Sequence, residues 1–245
     1  MTDRAAIEIE SLSFNVNDTS ILRKVSACIL SGETWSILGA NGAGKSTLLK
    51  CLIRVHRGWV GSVRLFGRPL ESYSQRQIAQ RMAHVPQAST QPFFPYTVRE
   101  FVRMGRYAYS GLWGTPHPGD GEAVDRAMEC TGVQHFADRT LDTLSGGERQ
   151  KVLIAAALAQ EADVLLLDEP TAFLDYRHQN EVHDILASIN KDLGRAVITV
   201  THDVNAAIYA GTKVLALRQG EVVYNGPSAG LYDENRLSLI FGATF

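Results

Sequence analysis

Gly39-Ala-Asn-Gly-Ala-Gly-Lys45-Ser46-Thr47 is the stretch on which the fold turns. It satisfies G-x-x-x-x-G-K-[ST] at every position, a pattern in which a glycine-rich loop joins a strand to a helix. The flanks supply both elements: Trp35-Ser-Ile-Leu38 is short and mostly apolar like a buried strand, and Leu48-Leu-Lys-Cys-Leu-Ile53 reads as a helix. Such a loop turns successive backbone N–H groups inward, and the helix N-terminus behind it adds partial positive charge, so it suits phosphate oxygens. Lys45 is placed to neutralise β- and γ-phosphates, and Ser46 to offer its hydroxyl to Mg²⁺. Gly39, Ala40, Asn41, Gly42, Ala43, Gly44 and Thr47 complete the cradle.

Working outward, Asp163-Val-Leu-Leu-Leu-Asp168-Glu169-Pro170 is an uninterrupted apolar strand ending in paired acids, the pattern of a parallel strand buried on both faces. Asp168 is placed to hold Mg²⁺ through water, and Glu169, facing the other way, to polarise an attacking water. Ala83-His-Val-Pro86 reads as a second strand delivering Gln87, and Arg195-Ala-Val-Ile-Thr-Val-Thr201 as a third delivering His202. Ligands of open α/β sheets bind beyond the carboxyl ends of the strands. Gln87, Glu169 and His202 are therefore expected on one edge, with Gln87 within reach of the γ-phosphate, Mg²⁺ or the attacking water, and His202 of the γ-phosphate. His56, His84, His117, His135, His178 and His183 have no comparable setting, and no metal site made by protein ligands alone is expected.

Leu144-Ser-Gly-Gly-Glu-Arg-Gln150 is a second anion-suited helix start. Ser145 and Glu148 form a capping box, while Gly146 and Gly147 leave the first-turn N–H groups uncovered. Glycines in a helix interior cost about 1 kcal/mol each, so an ordinary capped helix has no use for them.

The remaining chain sorts into three regions. Residues 7–14 alternate apolar and polar, as do Val25–Leu30 and Ser62–Phe66, which predicts an antiparallel β-layer beside the P-loop strand. Phe14 closes the first of these strands, where its ring can stack on adenine or serve as an ordinary strand aromatic. Ser74-Gln-Arg-Gln77 and Thr97-Val-Arg-Glu100 are further capping boxes, the first opening a short helix ending near Met82, the second a helix to Gly105. Helical patterning returns over Glu122–Cys130, so residues 88–160 are expected to form a helical subdomain inserted between core segments 1–87 and 161–245. Its apolar loop Gln91-Pro-Phe-Phe-Pro-Tyr96 can pack internally or dock on a partner near Phe93, Phe94 and Arg106. After Asp175 a helix runs from about His178 to Leu193, and Val214–Leu217 and Gly220–Tyr224 suggest a strand and hairpin before a short helical tail.

Composition excludes other classes. With 245 residues, 45% of them hydrophobic, the chain is long enough for a packed core, and disorder is excluded. A net charge of −2 argues against nucleic acid as the main partner. Cys28, Cys51 and Cys130 lack metal spacing and suit a reducing compartment. The N-terminus has no signal-peptide core and no run approaches a bilayer span, so the expected place is the cytoplasm, with membrane association through a partner.

In this order, the P-loop, Gln87, LSGGERQ, LLLDEPT, Leu174-Asp175 and His202 resemble the ATP-binding subunits of ABC transporters over essentially the full chain. The resemblance implies an α/β fold with a mostly parallel sheet, an N-terminal antiparallel layer and a helical insert. It also implies a head-to-tail homodimer holding two MgATP between the P-loop of one copy and the signature helix of the other. Phe14 then matches the adenine-stacking aromatic, Gln87 the Q-loop glutamine, Ser145 and Gly147 the γ-phosphate contacts made in trans, Glu169 the catalytic base, Asp175 the D-loop acid and His202 the switch histidine. Met104-Gly-Arg-Tyr107, Leu174-Asp-Tyr-Arg-His-Gln179 and Ile240-Phe-Gly242 resemble more narrowly the importer ATPases for iron-siderophores, haem and vitamin B12, with molybdate relatives. Integral membrane permease subunits, a periplasmic or extracellular binding protein and a place on the cytoplasmic face of the inner membrane follow from that likeness. Ala40, Phe14 and Ala172-Phe173 depart from the usual residues without removing a catalytic group.

Overall fold

A computed structural model of the chain describes residues 4–87, 95–109 and 117–242. The first alternating segment is a long strand, β1 (Ala5–Val16), which turns and returns as β2 (Thr19–Leu30). The P-loop strand β3 (Thr34–Leu38) and helix α1 (Lys45–Leu52) follow, and then β4 (Val60–Leu65) and the short β5 (Arg68–Pro69) complete an antiparallel sheet of order β2-β1-β4-β5. The second sheet is built from β6 (Met82–Val85), β7 (Val164–Asp168), β8 (Ala196–Thr201), β9 (Lys213–Arg218) and β10 (Glu221–Pro227) together with β3. Its order is β10-β9-β3-β8-β7-β6, parallel throughout except for β10 against β9.

Every residue of β7 is buried, because each face of this strand meets a different core. Val164 and Leu166 join Leu48, Leu49 and Leu52 of α1 and the inward residues of β1. Leu165 and Leu167 join the helices on the far side. That two-sided burial is why the segment reads as a continuous apolar run.

Those helices are α3 (Val98–Met104), α4 (Asp120–Cys130), α5 (Gly146–Ala159) and α6 (Tyr176–Leu193). The first three lie between residues 88 and 160, and Val102, Met128 and Ile154 merge with Val85 and Leu167 of the sheet into one cluster. The boxes at Ser74, Thr97 and Ser145 all close reciprocally, the first opening α2 (Gln75–Ala79). That helix stops short of the expected end because Met82 is already paired with Val164 as the first residue of β6. Asp175 caps α6, and Gly194 at φ +63° ends it. Helix α7 (Val204–Ala210), capped by Asp203, was not apparent from periodicity, since it buries only Ala207. The tail is α8 (Glu234–Phe241).

Arg106 is not a docking residue. The residue is 4% exposed, and its guanidinium donates to Asp120 Oδ1 at 2.8 Å, Glu161 Oε2 at 2.8 Å and the Ala159 carbonyl at 2.7 Å, locking α4 to the end of α5. Phe93 and Phe94 lie outside the described residues.

Candidate nucleotide site

All the strand-end residues emerge on one edge of the parallel sheet. Because β3, β8, β7 and β6 are neighbours in that order, the P-loop, His202, the Asp168-Glu169 pair and Gln87 follow one another along it. Residues of the P-loop, Gln87, Glu169 and His202 line a cleft of about 600 Å³, and Asp168 stands behind it against Ser46.

The loop's shape rests on close backbone approaches. Gly44 sits at φ +102°, and a Cβ there would lie 3.0 Å from the Ile21 carbonyl oxygen and 2.9 Å from Leu22, so the β1–β2 layer presses directly on the loop. A Cβ on Gly39 would lie 2.3 Å from the Leu217 carbonyl oxygen. Inside the loop Lys45, a residue 5% exposed, donates from Nζ to the Gly39 and Ala40 carbonyls at 2.8 and 3.0 Å. Burial lowers its pKa, while the nearby Glu169 and Asp168 carboxylates pull the other way. The ammonium is thus a fixed positive charge at the floor of the cleft.

Ser46 Oγ donates to Asp168 Oδ1 at 3.1 Å. Two hard oxygen donors this close fit a shared Mg²⁺, which takes few protein ligands and completes its octahedron with phosphate and water oxygens. Among the described residues no group of three or more His, Cys, Asp or Glu is arranged to hold a metal ion.

Glu169 adopts φ +49°, a strained conformation for a glutamate, while its N–H donates to the Val200 carbonyl at 3.0 Å. Both its carboxylate oxygens lie 2.9 Å from His202 Nδ1. The sequence alone placed Glu169 and His202 on the same edge. The structure joins them as a pair, with the carboxylate 12% exposed.

Ser145, Gly146, Gly147, Glu148 and Asp175 do not line this cleft. Ser145 Oγ accepts from the Glu148 N–H at 3.3 Å, and Glu148 Oε2 accepts from the Ser145 N–H at 2.7 Å. That second bond holds the Glu148 carboxyl below its usual range. The helix start is thereby ordered by its own side chains.

Phe14 does not stack on adenine in this cleft. Its ring is 8% exposed, sits in the core shared with α1, and stacks on His56 at 5.0 Å between centroids, so it does not face the cleft. A register shift between Ile9 and Leu12, with Ser11 at φ +50°, sets Leu12 and Phe14 on the inward face, leaving Val16, 45% exposed, at the strand's end. Phe14→Leu is expected to lower unfolding stability by about 1 kcal/mol and leave ATP affinity unchanged; urea unfolding and equilibrium titration measure the two separately. Two lining residues were missed. Ile21 comes from β2, and Phe173 stands 91% exposed at φ +63° between the acid pair and α6. An apolar aromatic in a turn was the available signal for Phe173; none existed for Ile21.

Comparison with known proteins agrees with this geometry. The family model for ABC transporters matches residues 22–172. The ferric enterobactin transport ATP-binding protein FepC of Escherichia coli (strain K12) is 36% identical over 99% of this chain and 89% of its own length. An inward-facing metal-chelate type ABC transporter superimposes with a TM-score of 0.85 at 29% identity, covering 99% of this chain and 90% of that one. The dimeric cassette MJ0796, bound to ADP and Pi, gives a TM-score of 0.76 at 25% identity, covering 91% and 98%.

Proposed function

This chain belongs to the ABC transporter ATP-binding family, and we propose that it is the ATP-hydrolysing subunit of an importer for a metal chelate such as iron-siderophore, haem or cobalamin, or for molybdate. The observation carrying the hydrolytic reading is one cleft that gathers the buried Lys45, Ser46 with Asp168 bonded to it, Gln87, and the Glu169–His202 pair. The importer reading rests on the likeness to the ferric enterobactin protein and the metal-chelate transporter.

Phosphoryl transfer asks for little covalent chemistry, so positioning and charge neutralisation carry it. The P-loop amides and Lys45 hold the phosphates. Bound at Ser46 and Asp168, and within reach of Gln87, Mg²⁺ would supply further neutralisation of phosphate charge. Glu169 accepts the proton of the attacking water, and His202, bonded to both its oxygens, fixes the carboxylate's orientation. Ser145 and Gly147 of a second copy complete the shell around the γ-phosphate, with Asp175 beside them. Among the described residues no helix is long and apolar enough to cross a membrane. In this reading a permease partner provides the membrane contact, at the cytoplasmic face, with a binding protein delivering cargo from the far side; the likeness to import ATPases supports it.

A site shared by two copies makes turnover concentration-dependent. The specific rate of phosphate release by the purified chain is expected to rise with protein concentration and then level off as dimers saturate. A specific rate independent of concentration, in a protein that sediments as a monomer with MgATP, overturns the shared site. Co-expression with its permease and uptake assays over iron chelates, haem, cobalamin and oxyanions decide the cargo.

A further inference from the structure

His178 is a residue for which the sequence shows no role, yet it stands where the two helices meet. Asp175 Oδ1 accepts from its backbone N–H at 2.9 Å, and its ring Nδ1 lies 2.8 and 2.9 Å from the two Asp175 oxygens. The imidazole is thereby pinned at both ends of the residue. Its other edge lies flat on the start of α5: a Cβ on Gly147 would fall 2.1 Å from His178 Cδ2, 2.3 Å from Cγ and 2.8 Å from Nε2. The ring cannot move aside without giving up the carboxylate, so position 147 is glycine for a packing reason as well as an electrostatic one.

Neighbouring contacts run the same way. Gln179 Nε2 donates to the Leu174 carbonyl at 3.0 Å, tying the segment after Glu169 to α6. Lys151 Nζ donates to Glu181 Oε2 at 2.8 Å, tying α5 to α6 one turn further along. Of these links, His178 alone touches the first turn of α5, where the uncapped amides are.

We propose that His178 is a positioning residue for ATP hydrolysis: pinned by Asp175, its imidazole fixes the first turn of α5, with Ser145 and Gly147, relative to the segment that leaves Glu169. It lies outside the lining of the nucleotide cleft. It acts through Gly147, by holding the phosphate-facing amides where a nucleotide carried by a second copy meets them. This inference rests on the shared-site reading above.

The test uses His178→Asn, His178→Gln and His178→Ala in the full chain. An asparagine amide nitrogen occupies the place of Nδ1 and keeps the bond to Asp175, whereas a glutamine amide reproduces only the far nitrogen. Small misplacements remote from the chemistry cost one to two orders of magnitude in rate, so Ala and Gln are expected to lower kcat about tenfold. KM should stay within about twofold, and Asn should keep most of the turnover. Binding of ATP to each variant in EDTA, where no turnover occurs, is expected to match the unaltered chain, because the P-loop is untouched. The proposal is overturned if Ala and Gln turn over at the unaltered rate, if Asn falls as far as Gln, or if EDTA binding falls in step with kcat. Should the alanine variant fail to fold, the Asn-against-Gln contrast gives the same decision. An unaltered chain that does not hydrolyse ATP in this assay sinks the shared-site reading itself; active parent with indifferent variants sinks only the role of His178.

Discussion

Glu169→Gln is expected to abolish steady-state phosphate release, by about 10²- to 10⁴-fold, while leaving ATP affinity intact. The substitution keeps the shape of the side chain and removes its ability to take a proton. Lys45 keeps its place in the cleft, because its side chain is held by the Gly39 and Ala40 carbonyls and not by Glu169. With hydrolysis stopped, ATP keeps its differential affinity for the closed pair of chains, so the variant should accumulate as a dimer in MgATP. Size-exclusion chromatography with and without nucleotide, beside a phosphate-release assay, reads both consequences. A variant that releases phosphate at the parent rate would remove Glu169 from the role of base and leave the pairing with His202 as a purely structural contact.

The second large effect is on stability. Arg106→Ala is expected to lower unfolding free energy by about 3–5 kcal/mol, because it leaves a buried carboxylate without its counter-charge. Asp120 and Arg106 side chains are 6% and 5% exposed, and the same guanidinium also satisfies Glu161 and a helix-end carbonyl. Burial alone would raise the Asp120 pKa, but the bonds from Arg106 and the His117 N–H outweigh it and hold the carboxyl below its ordinary value. The sign of the pH dependence follows. With its folded pKa depressed, Asp120 contributes stability that is present above the unfolded value of about 3.9 and lost as pH falls through the folded one. The gap between Arg106→Ala and the parent should therefore narrow under acid. Urea unfolding at neutral pH and near pH 3 measures this; equal midpoints at neutral pH would show that the pair contributes nothing net.

Local grammar carried much of the reading. The P-loop, the three capping boxes and the β7 run are contiguous, and each encodes its own backbone: glycines set positive φ, Ser or Thr with Glu or Gln three residues on closes a helix start, and apolar continuity marks a strand buried twice. The convergence of Gln87, Glu169 and His202 was legible too, because parallel strands in an α/β sheet share a carboxyl edge whatever their order. Only the resemblance set Phe14 on adenine; the register irregularity near Ser11 keeps Leu12 and Phe14 on the inward face, which is visible once the partner strand is seen.

What the sequence by itself determined is the cast and the edge: a phosphate loop, two acids, a glutamine and a histidine at strand ends, and a glycine-led helix start. Only the tertiary structure decided their pairings. Ser46 with Asp168, Glu169 with His202, and His178 against Gly147 all join residues far apart in the chain. The physical reason is range: backbone conformation and capping are settled within a few residues, whereas a contact between side chains on separate elements exists only once strand order, register and helix packing have brought them together.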